Sequence, residues 1–282
     1  YACGMISAKL SHGERVLLQD VSFSLSSRER LAVIGETGSG KTMLALSILG
    51  LLPANVRMQS GCIEMDGTAL PSGKQLQTLR GDKLVYIPQN GAEFLLPVRT
   101  VRKQLYDSLK KLGLPRKDFP AFAAEKLRLA GFDAPETILD KYPFQLSGGM
   151  AQRVTIALAA CSRARLLIAD EPTTALDVTI EAQILEIIKE LKNTYNTAIM
   201  LITHNFGLVA EVADKIAVMY AGEVIESGDV FEIFEHPTHP YTTLLMQALP
   251  RKTKKEGRLQ TIDGSVPRIL EKKPECRFAN RC

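Results

Sequence analysis

The chain has 282 residues, of which 45% are hydrophobic and 23% charged, and its 35 basic and 31 acidic residues leave a formal net charge of +4. This composition is ordinary for a globular protein and excludes the disordered and fibrous classes, while the length suits one large domain with a smaller appendage. Because the charges are spread along the chain, no segment is typical of a nucleic-acid-binding arm.

The apolar runs of the chain are short. None approaches the roughly 20 apolar residues that cross a bilayer, so any work at a membrane is expected to pass through partners. The first residue is Tyr1 rather than Met, and residues 1–5 lack the pattern of a secretory signal. We therefore expect a trimmed start and a cytoplasmic location.

The first elements in chain order predict an α/β unit beside a small antiparallel sheet. Residues 21–25 alternate apolar and polar side chains, and residues 61–67 resemble a strand that ends in an Asp-Gly turn. Between them, the apolar residues 31–34 predict a buried strand, residues 35–42 a glycine-rich turn and residues 43–52 a helix.

Later elements extend the same pattern. Residues 92–164 are predicted to form a helical subdomain, and two buried strands are predicted at residues 166–169 and 198–202, each followed by polar residues. Ligands bind at that end of open parallel sheets. We predict a nucleotide-binding domain over residues 1–228 and an extension over residues 229–282.

The glycine-rich turn fits the pattern G-x-x-x-x-G-K-[ST], between a strand and a helix where this phosphate-binding pattern has meaning. Glycines let backbone N–H groups curl around phosphate oxygens, and the helix start adds positive potential. The alternative is an ordinary glycine-rich turn, but a chance match in such a chain is expected only about once in a hundred. Lys41 would reach the outer phosphates and Thr42 would bind magnesium. The predicted phosphate-binding residues are Gly35, Glu36, Thr37, Gly38, Ser39, Gly40, Lys41 and Thr42.

Two carboxylates follow the strand at residues 166–169. Asp170 would hold a metal ion, directly or through water, and Glu171 would orient and deprotonate an attacking water in phosphoryl transfer. Alone, such a pair is usually a solvated strand end. Together with the phosphate-binding turn, it indicates nucleotide hydrolysis.

A second anion-binding turn is predicted at Ser147, Gly148 and Gly149, just before a helical run. Ser147 can cap that helix while the glycines expose N–H groups. An ordinary capped helix is the alternative, and it is the better interpretation of this segment taken alone.

In this order the motifs resemble those of the ABC ATPase superfamily, in which Leu-Ser-Gly-Gly contacts the γ-phosphate held by the opposite subunit. Gln89 matches the Q-loop, which binds magnesium and links to the membrane subunits, Asp177 matches the D-loop and His204 the switch histidine that senses the γ-phosphate. The resemblance implies an ATPase that uses ATP and Mg²⁺, with Gln89, Glu171 and His204 in catalytic roles. It also implies a P-loop NTPase fold with a small antiparallel β subdomain, a helical subdomain and a C-terminal extension.

Within that superfamily, residues 142–145 and 239–242 are similar to the ATPase subunits of dipeptide, oligopeptide and nickel importers. The resemblance implies a peripheral subunit at the cytoplasmic face of a prokaryotic membrane. It further implies two transmembrane permease subunits, an external substrate-binding protein and, because Met150 replaces the signature Gln, a second, non-identical ATPase. Peptides are the expected cargo and nickel the alternative.

Rival functions remain from other classes. A soluble ABC ATPase acting on nucleic acid or ribosomes would carry a long coiled coil or two cassettes, but here the gap from Thr42 to Leu146 is short and there is one cassette. A non-hydrolysing scaffold would not need Asp170, Glu171 and His204.

Two features depart from the family pattern. The expected adenine-stacking aromatic is replaced by His12 before Gly13, and the segment after Gln89 lacks the usual proline.

Five cysteines do not suggest a disulfide framework, but Cys276 and Cys282 are similar to a family tail that sometimes holds a [4Fe–4S] cluster. Such a cluster takes four thiolates, so further cysteines beyond Cys282 would be needed, and two unligated thiols are the alternative. We expect His236 and His239, each followed by proline, to form a docking turn.

Overall fold

The computed structural model describes residues 6–12, 15–173, 181, 186–188, 196–248, 262, 264–267 and 275–282. The strands are β1 (Ile6–His12), β2 (Arg15–Phe23), β3 (Arg30–Ile34), β4 (Val56–Met65), β5 (Thr68–Ala69), β6 (Leu84–Ile87), β7 (Leu166–Asp170), β8 (Ala198–Ile202), β9 (Lys215–Tyr220) and β10 (Glu223–Asp229). The α-helices are α1 (Lys41–Leu49), α2 (Gly73–Leu79), α3 (Gly91–Phe94), α4 (Val101–Lys111), α5 (Phe119–Leu129), α6 (Glu136–Leu139), α7 (Gly148–Ala160), α8 (Phe206–Val212), α9 (Val230–Glu235) and α10 (Pro240–Gln247).

The central sheet has the strand order β10-β9-β3-β8-β7-β6. All its neighbouring pairs are parallel except β10 with β9. Strands β7 and β8 are buried along their whole length, which explains why their sequences are continuous apolar runs. The predicted α/β fold with a parallel core is confirmed.

A smaller sheet has the order β2-β1-β4-β5, and its pairs are antiparallel. Its β4–β5 turn uses Asp66 and Gly67 with φ of 54° and 74°, the left-handed conformations that a tight hairpin turn needs. The sheet is joined to the central one where Gln19 N–H donates to Gly222 O at 2.8 Å. Gly222 lies in the β9–β10 turn.

The helical region runs from α3 to α7. Its core contains Leu105, Leu109, Leu127 and Val154, whose side chains are fully buried. A second apolar core lies between α1 and the two sheets, and a third packs α8 to α10 against β9. In the part of the chain that is described, no helix combines the length and the apolar character needed to cross a bilayer.

Helix α1 differs from its predicted bounds of 43–52. It begins at Lys41 inside the phosphate-binding pattern, and it ends at Leu49 because Gly50 adopts φ of 60° and donates its N–H to Leu46 O and Ser47 O. A left-handed glycine ends helices in this way. The apolar periodicity continued beyond the point where the backbone turns.

Candidate nucleotide-binding and hydrolysis site

The phosphate loop between β3 and α1 lies against two neighbouring strands. At Gly35, with φ of 150°, an added Cβ would lie 2.2 Å from Met219 O of β9. At Gly40, with φ of 101°, it would lie 2.7 Å from the Leu18 side chain of β2. Both positions therefore require glycine, and the loop is held close to the sheets.

Lys41 is folded back into this loop. Its side chain is buried, and its Nζ donates hydrogen bonds to Gly35 O at 2.8 Å and to Glu36 O at 2.9 Å. Burial lowers the pKa of Lys41, while the negative charges of Glu171 and Asp170 oppose that change. The loop thus encloses one cation at the start of a helix, an arrangement suited to a polyphosphate.

Asp170 is the buried member of the predicted acidic pair, with 2% of its surface exposed. Tyr86 O–H donates to Asp170 Oδ2 at 3.2 Å. Burial raises the pKa of Asp170, and hydrogen bonds from Thr42 and Tyr86 oppose that rise. Thr42 and Asp170 therefore meet, and their predicted role in holding magnesium stays a prediction.

These two side chains fit a Mg²⁺ ion. The described residues contain no cluster of three or more His, Cys, Asp or Glu side chains. Mg²⁺ at nucleotide sites, however, takes only one or two protein oxygens and completes its shell with phosphates and water. The hydroxyl of Thr42 and the carboxylate of Asp170 are ligands of that kind.

Glu171 brings together the predicted catalytic side chains. Its Oε2 accepts a hydrogen bond from Gln89 Nε2 at 2.9 Å, and its Oε1 lies 3.3 Å from His204 Nδ1. The Glu171 backbone adopts φ of 46°, and its N–H donates to Ile202 O at 2.8 Å. This left-handed turn at the end of β7 aims the carboxylate toward residues from two other loops.

The three loops and the phosphate loop share one cleft of about 880 Å³. The phosphate loop forms one wall, and Gln89, Glu171 and His204 lie beside it. The remaining lining residues come from β2, α1, α8, α10 and the C-terminal segment; they are Leu17, Met43, Phe206, Leu245, Gly264, Ser265 and Val266.

The Ser-Gly-Gly turn lies elsewhere. Ser147 Oγ accepts from Met150 N at 3.3 Å, so it caps α7 as predicted. Ser147 and Gly148 are exposed, and neither lines the cleft. The fold of one chain therefore does not bring this turn to its own phosphate loop.

Two predicted residues cannot be placed in the cleft. His12 is the last residue of β1, where its backbone pairs with Arg15 and Val56, but its side chain is not described. Asp177 lies outside the described residues. Their proposed contacts with nucleotide stay predictions.

Sequence analysis missed Gln152, which lies in α7 and is 3% exposed. Its Oε1 accepts from Gly91 N at 2.7 Å, and its Nε2 donates to Pro88 O at 3.0 Å and Pro172 O at 3.1 Å. It therefore joins the segment on both sides of Gln89 to the residue that follows Glu171. The available signal was weak, because Gln152 is followed in α7 by the polar residues Arg153 and Thr155.

Sequence analysis also missed two side chains from the end of the chain. Tyr241 Oη accepts from Glu36 N–H at 3.0 Å, and Arg281 pairs with the Glu36 carboxylate at 2.9 Å. No local pattern signals these contacts, because more than 200 positions separate the partners.

The cysteine pair does not fit a [4Fe–4S] cluster within the described residues. Cys276 and Cys282 are both exposed, and Cys276 Sγ lies 3.7 Å from His239 Nε2. In the part of the chain that the structure describes, no group of three or more His, Cys, Asp or Glu side chains could hold a metal ion. Four thiolates are the usual requirement. His239 instead accepts from Tyr241 N at 3.1 Å and caps α10, and the docking role expected of His236 and His239 stays a prediction.

Comparison with known proteins places this geometry in a family. Residues 18–174 match the family "ABC transporter", and residues 225–282 match "Oligopeptide/dipeptide transporter, C-terminal region". The chain is 43% identical to the probable peptide ABC transporter ATP-binding protein y4tR of Sinorhizobium fredii, over 94% of this chain and 81% of that protein. It is also 43% identical to the dipeptide transport ATP-binding protein DppD of Escherichia coli, over 93% and 81%.

A solved structure of an ATP-binding subunit of an ABC transporter superposes with a TM-score of 0.72 at 26% identity, covering 83% of this chain and 92% of that one. Residues 18–174, which match the family model, contain the phosphate loop, the acidic pair at the end of β7 and the capped Ser-Gly-Gly turn. This chain belongs to the ABC transporter family as one of its ATP-hydrolysing, ATP-binding subunits.

Proposed function

We propose that this chain energises the uptake of di- or oligopeptides through partner membrane subunits. The observation that carries the proposal is the convergence of Gln89 and His204 on the Glu171 carboxylate beside the phosphate loop. Peptide cargo is supported by the C-terminal family match and by the names of the relatives, which favour peptides over nickel. The same relatives lend no support to a role on nucleic acid or ribosomes.

In this proposal the phosphate loop and Lys41 bind the β- and γ-phosphates of ATP. A bound Mg²⁺ would be held by Thr42 and Asp170 and would neutralise phosphate charge. Glu171 orients a water molecule for in-line attack on the γ-phosphorus and accepts its proton. The Gln89 amide holds Glu171 in place, and His204, 3.3 Å from the Glu171 carboxylate, would sense the γ-phosphate.

The ATPase works as a head-to-tail pair with a second, non-identical ATPase subunit. The exposed Ser147 and Gly148 lie outside the chain's own cleft, so they are free to complete the site of a partner. ATP then favours the closed pair because it touches both subunits only in that state. Hydrolysis removes this preference and reopens the pair.

The segment after Gln89 is the proposed contact with the two transmembrane permease subunits. Phe94, Leu96 and Val98 are 50%, 52% and 82% exposed, a concentration of apolar surface that indicates a binding partner. Docking here places the chain at the cytoplasmic face of the membrane. The external substrate-binding protein would act through the permeases.

The test compares the native chain with Glu171→Gln, co-expressed with its neighbouring genes' products and reconstituted in lipid. We expect turnover to fall by about 10² to 10⁴-fold with ATP binding retained, because the substitution removes the proton acceptor but keeps the shape. Glu136→Gln, which changes an exposed glutamate on α6, is the matched control and should hydrolyse ATP normally.

Uptake of labelled dipeptide by the same vesicles tests the cargo, with nickel uptake as the competing result. Unchanged turnover in Glu171→Gln would remove Glu171 from the base role. Full activity of the isolated chain, with no membrane subunit recovered, would instead favour a soluble ATPase.

A further inference from the structure

The C-terminal residues 275–282 dock on the nucleotide-binding domain. Arg277 and Phe278 are almost fully buried, and the Phe278 ring lies edge-on to Tyr220 and Tyr241 at centroid distances of 5.2 and 5.3 Å. Arg277 bonds to Ala221 O in the β9–β10 turn. The two cysteines face outward while the arginines and the phenylalanine face inward.

Arg281 is the residue through which this segment reaches the phosphate loop. Its two terminal nitrogens donate to the Glu36 carboxylate at 2.9 and 3.1 Å, a bidentate pair. The same guanidinium bonds to Tyr220 Oη at 3.2 Å and to Ile262 O and Gly264 O, each at 3.3 Å. Only 8% of the Arg281 side chain and 27% of the Glu36 side chain are exposed, so water screens the pair weakly.

Glu36 is the second residue of the phosphate loop, and each of its polar groups has a partner. Its N–H donates to Tyr241 Oη and its carbonyl accepts from Lys41 Nζ at 2.9 Å. Gly264, which Arg281 binds through its carbonyl, lines the same cleft. Arg281 therefore ties the loop to the C-terminal wall of the cleft.

A carboxylate at this position opposes the binding of a polyphosphate. At short range and with little water between them, like charges cost appreciable free energy, and a bidentate arginine offsets that cost while fixing the carboxylate in one geometry. We propose that Arg281 is a positioning residue of the nucleotide site, which neutralises and orients Glu36 so that the phosphate loop accepts ATP. This inference rests on the proposed nucleotide site and deepens it.

The test is a titration of the full chain with a fluorescent ATP analogue. Arg281→Gln leaves the Glu36 charge without its arginine, and we expect the Kd for the analogue to rise about tenfold, the size of effect between those of exposed and buried ion pairs. Adding Glu36→Gln in the same chain removes the opposing charge, so the Kd should return to within about threefold of the native value. A purely structural role would not give this rescue.

Arg277→Gln is the matched control, because Arg277 docks the same segment but has no carboxylate of the phosphate loop as its partner. It should shift the Kd less than about twofold while lowering the melting temperature as much as Arg281→Gln does. An equal rise of Kd in Arg277→Gln, or a double variant as weak as Arg281→Gln alone, would overturn the proposal. Lys41→Ala is run beside them; if it binds the analogue like the native chain, the nucleotide site itself is wrong, and the role of Arg281 with it.

Discussion

Replacing Gln152 by Leu tests whether the buried glutamine holds the catalytic segments together. The substitution preserves the approximate volume of the side chain and removes three hydrogen bonds, those to Gly91 N, Pro88 O and Pro172 O. Each such bond contributes about 1 kcal/mol, and its buried partners lose their pairing. We expect the free energy of unfolding to fall by about 3 kcal/mol and the melting temperature by about 6 °C.

Turnover should fall as well, because Pro88 immediately precedes Gln89 and Pro172 immediately follows Glu171. A displacement of the order of 1 Å at a catalytic group costs up to about a hundredfold, so we expect ATP turnover to drop by at least about tenfold. The assay measures steady-state hydrolysis at saturating ATP, well below the melting temperature. Thermal unfolding followed by circular dichroism gives the stability.

Gln104→Leu is the matched control. Gln104 is also buried and also makes three hydrogen bonds to a loop, accepting from Leu96 N and donating to Leu96 O and Arg99 O at 2.9, 3.2 and 3.0 Å. It should lose similar stability yet keep the rate of ATP hydrolysis that the paired ATPase subunits show without the membrane subunits. If both variants lose turnover equally, or if Gln152→Leu keeps its full rate, the coupling through Gln152 is refuted.

Three further predictions each concern a single residue. Lys41→Ala should weaken binding of labelled ATP by at least about tenfold, because a charge-assisted contact to phosphate is lost; native affinity would contradict the loop assignment. Burial raises the pKa of the Cys161 thiol to about 12, so iodoacetamide at pH 8 should label exposed Cys276 but leave Cys161 unmodified in the folded chain, as read by mass spectrometry. Asp214→Ala removes an acceptor of three hydrogen bonds from Arg30 and should cost about 2 kcal/mol in urea unfolding, and a change under about 0.5 kcal/mol would show that solvent replaces them.

The phosphate loop, the acidic pair and the capped turn were predictable because each is a local pattern. Glycine at positions 35 and 40 reflects close contact with neighbouring strands, and the apolar runs at β7 and β8 reflect burial on both faces of a parallel sheet. Such constraints leave a mark on a few consecutive residues. The convergence of Gln89 and His204 on Glu171 depends on the sheet order, because β6, β7 and β8 are neighbours and their carboxyl-end loops therefore lie side by side.

Contacts between distant segments produce no local sequence pattern from which they could be predicted. Gln152 is one polar residue in a helix, and its three partners are backbone groups that any sequence could supply. Arg281 is one of many basic residues, and its pairing with Glu36 depends on how the C-terminal segment lies on the domain. The predicted end of α1 was wrong because the left-handed Gly50 ends the helix, although the apolar periodicity continues to residue 52.

The pair formed by Arg281 and Glu36 can form only late in biosynthesis. The two residues are 245 positions apart, and a chain is made and folded from its N-terminal side first. On the ribosome, the phosphate loop emerges early, and Glu36 cannot pair with Arg281 until almost the whole of this sequence has been translated. A nascent chain interrupted before residue 281 would therefore carry every ATPase motif and still present an unneutralised carboxylate to its nucleotide.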